Sequence, residues 1–461
     1  MSGLRRMTSF SKPLARRALG VALGCLWCVF FAHATLAQTS SSSHKHVAAD
    51  PEAQALNRLL SDAQSAVDLQ DYETAAQDYQ DYLAKKPDDA EVHFNLGYVY
   101  TAMQRPDDAK VEYEKAIALD PDDAKMAPAY QNLGLTLLPK DPAAAVDPLQ
   151  HAAELAPQDA RTKWLLGMAL ENSGKLDPAI EQYQAAEKLN EKDFDTRMSL
   201  GHALVAAGRP ADAEPELREA LALRPDDQDA DAPRVHLELA ECLILEKKNE
   251  PAAAELATYL QSHPDDVARR LDRASLLVDL SKYDDALTEL DRAANGKPET
   301  LRALQLRSHI YYQEKHWDDL IPVLQKAETL APKDPSIPAQ LGEVYLTKKD
   351  YADAARTLIV AYDLKPGALD VLANLVEAEY QAGNYAGALQ ALDLLAKQKD
   401  LPAPSWYIRA SCYDKLGQLA QALDAYQRFL QLNTDQNSDM YFAAAARARE
   451  LARELHEKKK R

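Results

Sequence analysis

The strongest constraint on this chain is a ruler made of prolines. Pro87, Pro121, Pro157, Pro225, Pro264, Pro298, Pro332 and Pro366 recur at intervals of 34, 36, 68, 39, 34, 34 and 34 residues. The 68 is a doubled step, and the same step continued places Glu191, Asp400 and Thr434 at the remaining positions. Eleven copies of a roughly 34-residue unit result. A fixed period of this length specifies a stacked array, in which each unit buries its apolar face against its neighbours instead of closing a single core. Only 15 of 461 residues are glycine, which suits an all-helical chain.

Counting back from each anchor exposes the internal pattern. At −12 stand Ala75, Ala109, Ala145, Ala179, Ala213, Ala252, Ala286, Leu320, Ala354, Ala388 and Ala422, ten alanines in eleven. At −8 the residue is large, as in Tyr79, Tyr113, Leu149, Tyr183 and Leu358. At −24 small residues dominate, including Ala63, Gly97, Gly167, Gly201, Ser308 and Gly342. Positions −12, −8 and −5 differ by four and three, so they form one stripe on a helix. Small residues at −24 and −12 predict a close seam between two helices, filled by the large residue at −8. Short polar turns such as Gln70-Asp71-Tyr72 and Ser281-Lys282-Tyr283 separate the helices. The proline ends the second helix, because it lacks an N–H and restricts the residue before it. The aspartates that follow it, as in Asp88-Asp89 and Asp265-Asp266, suit N-caps of the next helix.

These residues carry a resemblance to the tetratricopeptide repeat over residues 56–436. The repeat-defining positions are Gly97, Ala109, Tyr113 and Pro121; Gly167 and Ala179; Gly201, Ala213 and Pro225; Gly342, Ala354 and Pro366; and Trp406 and Ala422. Val376 and Leu320 depart from the pattern, each standing where a small residue is usual. The resemblance implies an all-α, right-handed solenoid of helix-turn-helix units with a C-terminal capping helix. It also implies that the first helix of each unit lines a concave groove for a protein or peptide partner. Groove-facing residues would then be Phe94, Tyr98, Trp164, Met168, Met198, His202, Leu237, His309, Tyr312, Tyr380 and Tyr407. Aromatics and methionine there suit a polypeptide, offering large contact area at low entropy cost. No asparagine occurs at −23, so the family's carboxylate clamp is not supported.

The ends and interruptions divide the chain further. Residues 1–17 hold Arg5, Arg6, Lys12, Arg16 and Arg17 without an acid, and an apolar run from Ala18 to Phe31 follows. Small residues near Ala34 and Ala37 complete the pattern of a secretory signal peptide over 1–37, with an uncleaved anchor as the alternative. Residues 38–55 read as a flexible tether and the start of the first helix. Units 1–5 cover 56–225, an acidic loop at 226–233 is a candidate hinge, units 6–11 cover 234–436, and 437–461 form the cap. Its expected apolar face is Tyr441, Phe442, Ala445, Leu451 and Leu455.

Without residues 1–37 the 53 basic residues fall by five to 48 against 72 acidic, a net charge of −24. Such a surface repels phosphate backbones, so nucleic acid is not an expected partner. Cys242 and Cys412 sit at equivalent places five repeats apart. Stacked layers advance by roughly 8–10 Å, which puts the pair beyond disulfide reach; both read as packing residues.

Chemistry finds no foothold in the pattern. There is no zinc-protease motif, nucleophile elbow, phosphate loop or mature Cys-x-x-Cys, and no cofactor or metal site is expected. Asp227, Asp229, Asp231 and Glu238 copy part of an EF-hand spacing but lack its turn glycine, so they read as a solvated acidic loop. His44 and His46 lie on the tether. The expectation is a non-enzymatic protein- or peptide-binding scaffold, periplasmic or secreted, within an envelope assembly or secretion complex. The alternatives are a structural spacer or homo-oligomer platform, and an accessory subunit of an enzyme complex.

Overall fold

A computed structural model describes residues 51–223 and 232–460. It divides into two compact units, Met1–Ser262 and His263–Arg461. Among the described residues there are helices and turns and no strand. The first unit contains α1 (Pro51–Asp68), α2 (Tyr72–Leu83), α3 (Ala90–Ala102), α4 (Pro106–Leu119), α5 (Ala127–Leu137), α6 (Pro142–Leu155), α7 (Ala160–Asn172), α8 (Leu176–Leu189), α9 (Phe194–Ala206), α10 (Pro210–Leu223), α11 (Ala232–Leu245) and α12 (Asn249–Ser262). The second contains α13 (Val267–Asp279), α14 (Tyr283–Ala294), α15 (Leu301–Gln313), α16 (Trp317–Leu330), α17 (Ser336–Lys348), α18 (Tyr351–Leu364), α19 (Leu369–Gln381), α20 (Tyr385–Gln398), α21 (Ala403–Lys415), α22 (Leu419–Leu432) and α23 (Asp439–Lys460).

Each repeat is one helix pair, so the first unit holds six pairs and the second five plus α23. Most of the predicted hinge lies outside the described residues; the flanking helices α10 and α11 pack on each other. The division between units falls one repeat later, at 262/263.

The seam forms as its small residues require. All eleven −12 residues are fully buried. A Cβ on Gly97 would lie 2.7 Å from the Tyr113 ring, and one on Gly342 would lie 2.4 Å from Leu358 Cγ. The −24 backbone therefore rests directly on the −8 side chain. In the third repeat Gly134 takes this role against Leu149, fifteen residues away instead of sixteen. That repeat also carries its extra length in a 3-10 turn, Ala124–Met126, ahead of α5. Aspartates close the N-termini: Asp89, Asp193 and Asp266 accept from the backbone N–H of Val92, Thr196 and Arg269.

The terminal helix caps the last pair with a face rotated from the expected one. Ala444, Ala448 and Leu451 are buried against Ala425, Tyr426 and Phe429, whereas Phe442 is exposed. Small alanines let α23 lie close, and the guanidinium of Arg447 donates to both Asp414 carboxylate oxygens at 2.7 and 2.8 Å.

Candidate functional site: the faces of the first helices

Two polar networks and a set of aromatic pairs organise the first-helix faces. The first network lies inside single repeats and has no counterpart among the sequence expectations. A basic residue at −28 pairs with a glutamate at −9: His93 with Glu112 at 2.6 Å, Arg197 with Glu216 at 2.7 Å, His236 with Glu255 at 2.6 Å and Arg270 with Glu289 at 2.8 Å. Three of these residues also bond the carbonyl of the preceding anchor, Pro87, Glu191 and Pro264, at 2.8, 2.9 and 2.8 Å. The pair thus ties the joint between repeats to the second helix. In the eighth and tenth repeats the same positions hold buried apolar pairs, Leu304 with Val323 and Leu372 with Ala391.

The second network joins successive first helices at a spacing of 31 residues. Tyr312 donates to Glu343 at 3.1 Å, the Tyr380 and Ser411 hydroxyls are 2.9 Å apart, and His202 Nε2 is 3.4 Å from Glu171. His202 also reaches onward, its Nδ1 donating to Glu238 at 2.9 Å. One imidazole therefore links α7, α9 and α11. Burial alone would lower its pKa, as would Arg234, but the hydrogen bond and charge of Glu238 and the charge of Glu171 outweigh them and raise it to about 9. Burial in turn lifts the Glu171 carboxyl above its ordinary range, against the charge of His202 and a hydrogen bond from Tyr183. The Glu238 of the EF-hand-like spacing is engaged here; Asp227, Asp229 and Asp231 lie outside the described residues, as do His44 and His46.

The residues expected in the groove fall into two groups. Trp164, Met168, Met198 and Leu237 are buried, and the Trp164 indole N–H donates to Ser199 at 3.0 Å in the next first helix. These four pack the array and do not face open solvent, which corrects the expectation for them. Phe94, Tyr98, His202, Tyr312, Tyr380 and Tyr407 are half-buried and His309 is exposed. The half-buried aromatics are mostly braced from behind by rings at matching positions. Phe94 leans on Tyr113 and Tyr407 on Tyr426, with centroids 6.0 and 5.8 Å apart, while Tyr312 and Tyr380 meet Trp317 and Tyr385 edge-on at 5.6 and 5.9 Å. Paired, half-buried rings are suited to contact at low entropy cost.

Two adjoining cavities open in the second unit. One, of about 230 Å³, lies between α15, α16 and α17; the other, of about 300 Å³, lies between α13 and α15. Gln305 and His309 border both. Among the described residues no cluster of His, Cys, Asp or Glu is placed to hold a metal, and no helix is long and apolar enough to cross a membrane. Cys242 and Cys412 are free and buried, and burial pushes both thiols up to about 11, which leaves them unreactive.

Models of the tetratricopeptide repeat match residues 66–133, 160–193, 204–270, 271–335, 345–412 and 403–435. The chain belongs to the tetratricopeptide repeat family. No curated protein sequence matches it. Among solved structures it is similar to MamA, with 24% identity over 39% of this chain and 97% of that one and a TM-score of 0.36. YrrB, described as a tetratricopeptide protein with an unusual peptide-binding site, has 20% identity over 45% of this chain and all of that one, TM-score 0.38. Yeast Tom70 has 14% identity over 88% of this chain and 97% of that one, TM-score 0.30.

Proposed function

We propose that this chain is a non-enzymatic scaffold of the bacterial cell envelope that binds polypeptide partners along its first-helix faces. The observation that carries this reading is the pair of adjoining cavities bordered by Gln305 and His309, flanked by the braced Tyr312 ring. Rigid aromatic edges beside polar groups are the surface chemistry of protein recognition. An envelope address rests on the basic, apolar and small-residue regions of residues 1–37; N-terminal sequencing of the exported protein tests it and should begin near residue 35 or 38.

Photo-crosslinking residues placed at His309 and Tyr312 in living cells, followed by mass spectrometry, test the partner class. Crosslinks to a defined set of envelope polypeptides are expected. Crosslinks only to further copies of this chain would replace the reading with a homo-oligomer platform.

A further inference from the structure

The polar walls of the cavity between α15, α16 and α17 are chemically unusual for this molecule. Ser308 is 4% exposed, and its hydroxyl makes no hydrogen bond within the protein. Serine stands here at the −24 seam, where most repeats have glycine or alanine, and it lines the cavity. Beside it the side chains of Gln305, His309 and Gln340 border the same space. Leu324, Ala327 and Ile337 supply its apolar lining. The same repeat carries Leu320 in place of the seam alanine, fully buried. Two seam positions of one repeat thus depart from the pattern where the cavity opens.

We propose that this cavity is a specificity pocket for one uncharged, hydrogen-bonding side chain of an extended polypeptide. The proposal rests on the polypeptide-binding reading above and names what that site selects. Size favours a single side chain, since pockets for whole small molecules run from roughly 300 to 1,000 Å³ and this one is about 230 Å³. Chemistry sets the class. A purely apolar side chain would leave the buried Ser308 hydroxyl unsatisfied, which is costly. A charged one would give up water for a lining without carboxylate, guanidinium or ammonium, whose one ionisable side chain besides the Tyr312 phenol is the His309 imidazole. Two charges on the same helices are engaged: Glu343 accepts from Tyr312 at 3.1 Å, and Arg302 donates to Asp272 at 2.8 Å. An apolar stem over Leu324 and Ile337 with a neutral polar tip at Ser308 and Gln340 satisfies both walls. Asn, Gln, Ser, Thr and Tyr meet that description.

The adjoining cavity gives the register. Successive layers lie roughly 8–10 Å apart, and an extended chain advances about 3.3 Å per residue. Its next buried side chain is then two or three residues away, in the cavity bordered by Ser275, Asp279 and Arg302.

The test is a position-scanned library of end-blocked octapeptides, read by fluorescence anisotropy against the purified full chain and its Gln340→Leu, Ser308→Ala and Gln305→Leu variants. Gln305 is exposed, so its substitution leaves folding intact even if the buried Ser308 change does not; far-UV circular dichroism checks all three. Expected is a preference of at least tenfold for the neutral polar set over Asp, Glu, Lys and Arg at one position, reduced to under threefold in the variants while binding itself persists. Peptides that bind with no such preference, or with one untouched by all three substitutions, overturn the pocket and leave the polypeptide-binding reading standing. Failure of every peptide, with binding seen only on a glycan array, overturns both.

Discussion

The surroundings of His202 in the first unit and of Ser308 in the second handle the polar groups of first-helix faces in opposite ways. In the first, His202 is clasped between Glu171 and Glu238, and the Trp164 indole is tied to Ser199. Those groups are consumed in holding α7, α9 and α11 together. In the second, around α15 and α17, Ser308, Gln305, His309 and Gln340 border open space. The same scaffold positions serve cohesion in one region and recognition in the other. In a linear array, where each repeat is stabilised only by its neighbours, polar groups engaged in cohesion are withdrawn from binding.

The largest expected effect breaks a device that both units share. Glu289 is 1% exposed and receives Arg270, Arg273 and Arg292 at 2.8, 2.6 and 2.9 Å. Glu289→Ala leaves the buried Arg270 without its carboxylate, a loss of about 3–5 kcal/mol. Hydrogen exchange should then accelerate over α13 and α14 while α7 to α11 are unchanged. Uniform acceleration throughout would show that the array unfolds as one block.

A second effect belongs to the first unit alone. The folded pKa of His202 is raised from 6.5 to about 9. A raised value means the stabilisation is complete below about pH 6.5 and is lost as pH rises through 9. The shift corresponds to at most about 3 kcal/mol. Burial raises Glu171 as well, so its contribution is also lost as pH rises above about 4.5, and the His202 substitution separates the two. The urea midpoint of the first unit should fall between pH 6.5 and 9, and His202→Gln should flatten that segment of the curve. A slope unchanged by the substitution would mean another group carries it.

Much of the fold was legible because it depends on residues that recur in one column. The −24, −12 and −8 positions state the seam directly, and Gly97 against Tyr113 shows it formed. The −28/−9 pair was not legible, because its column mixes His93, Arg197, His236 and Arg270 with apolar Leu304 and Leu372. A search for opposite charges nineteen residues apart would have found it. The groove was half legible. Counting gives the face of a helix but not what the next helix lays over it: Trp164 and Met168 are buried, Trp164 bonded to Ser199, whereas Tyr312 is half-buried and His309 exposed. Ser308 was read as one small residue among others; only its position beside a cavity distinguishes it.

The turn inside each repeat is a device the two units share, and it limits the contrast at the smallest scale. Its middle residue, seventeen before the anchor, has a left-handed backbone in ten of eleven repeats. The first unit places Gly174 and Gly208 there, at φ of 78° and 74°, whereas the second places Lys315 and Lys349, at 59° and 65°. A side chain in this conformation costs roughly 1–2 kcal/mol. Glycine relieves that strain but loses about 0.4–1 kcal/mol through the greater freedom of the unfolded chain. The strain outweighs the freedom, and both lysines are exposed, so packing is not lost. Lys315→Gly and Lys349→Gly should each stabilise the second unit by about 0.5 kcal/mol, the difference between those two effects, read as a higher urea midpoint. Gly208→Ala in the first unit should lower its midpoint by a comparable amount. A lysine variant that is neutral or destabilised would show that the turn is held by its flanking helices and not by the preference of its own residue.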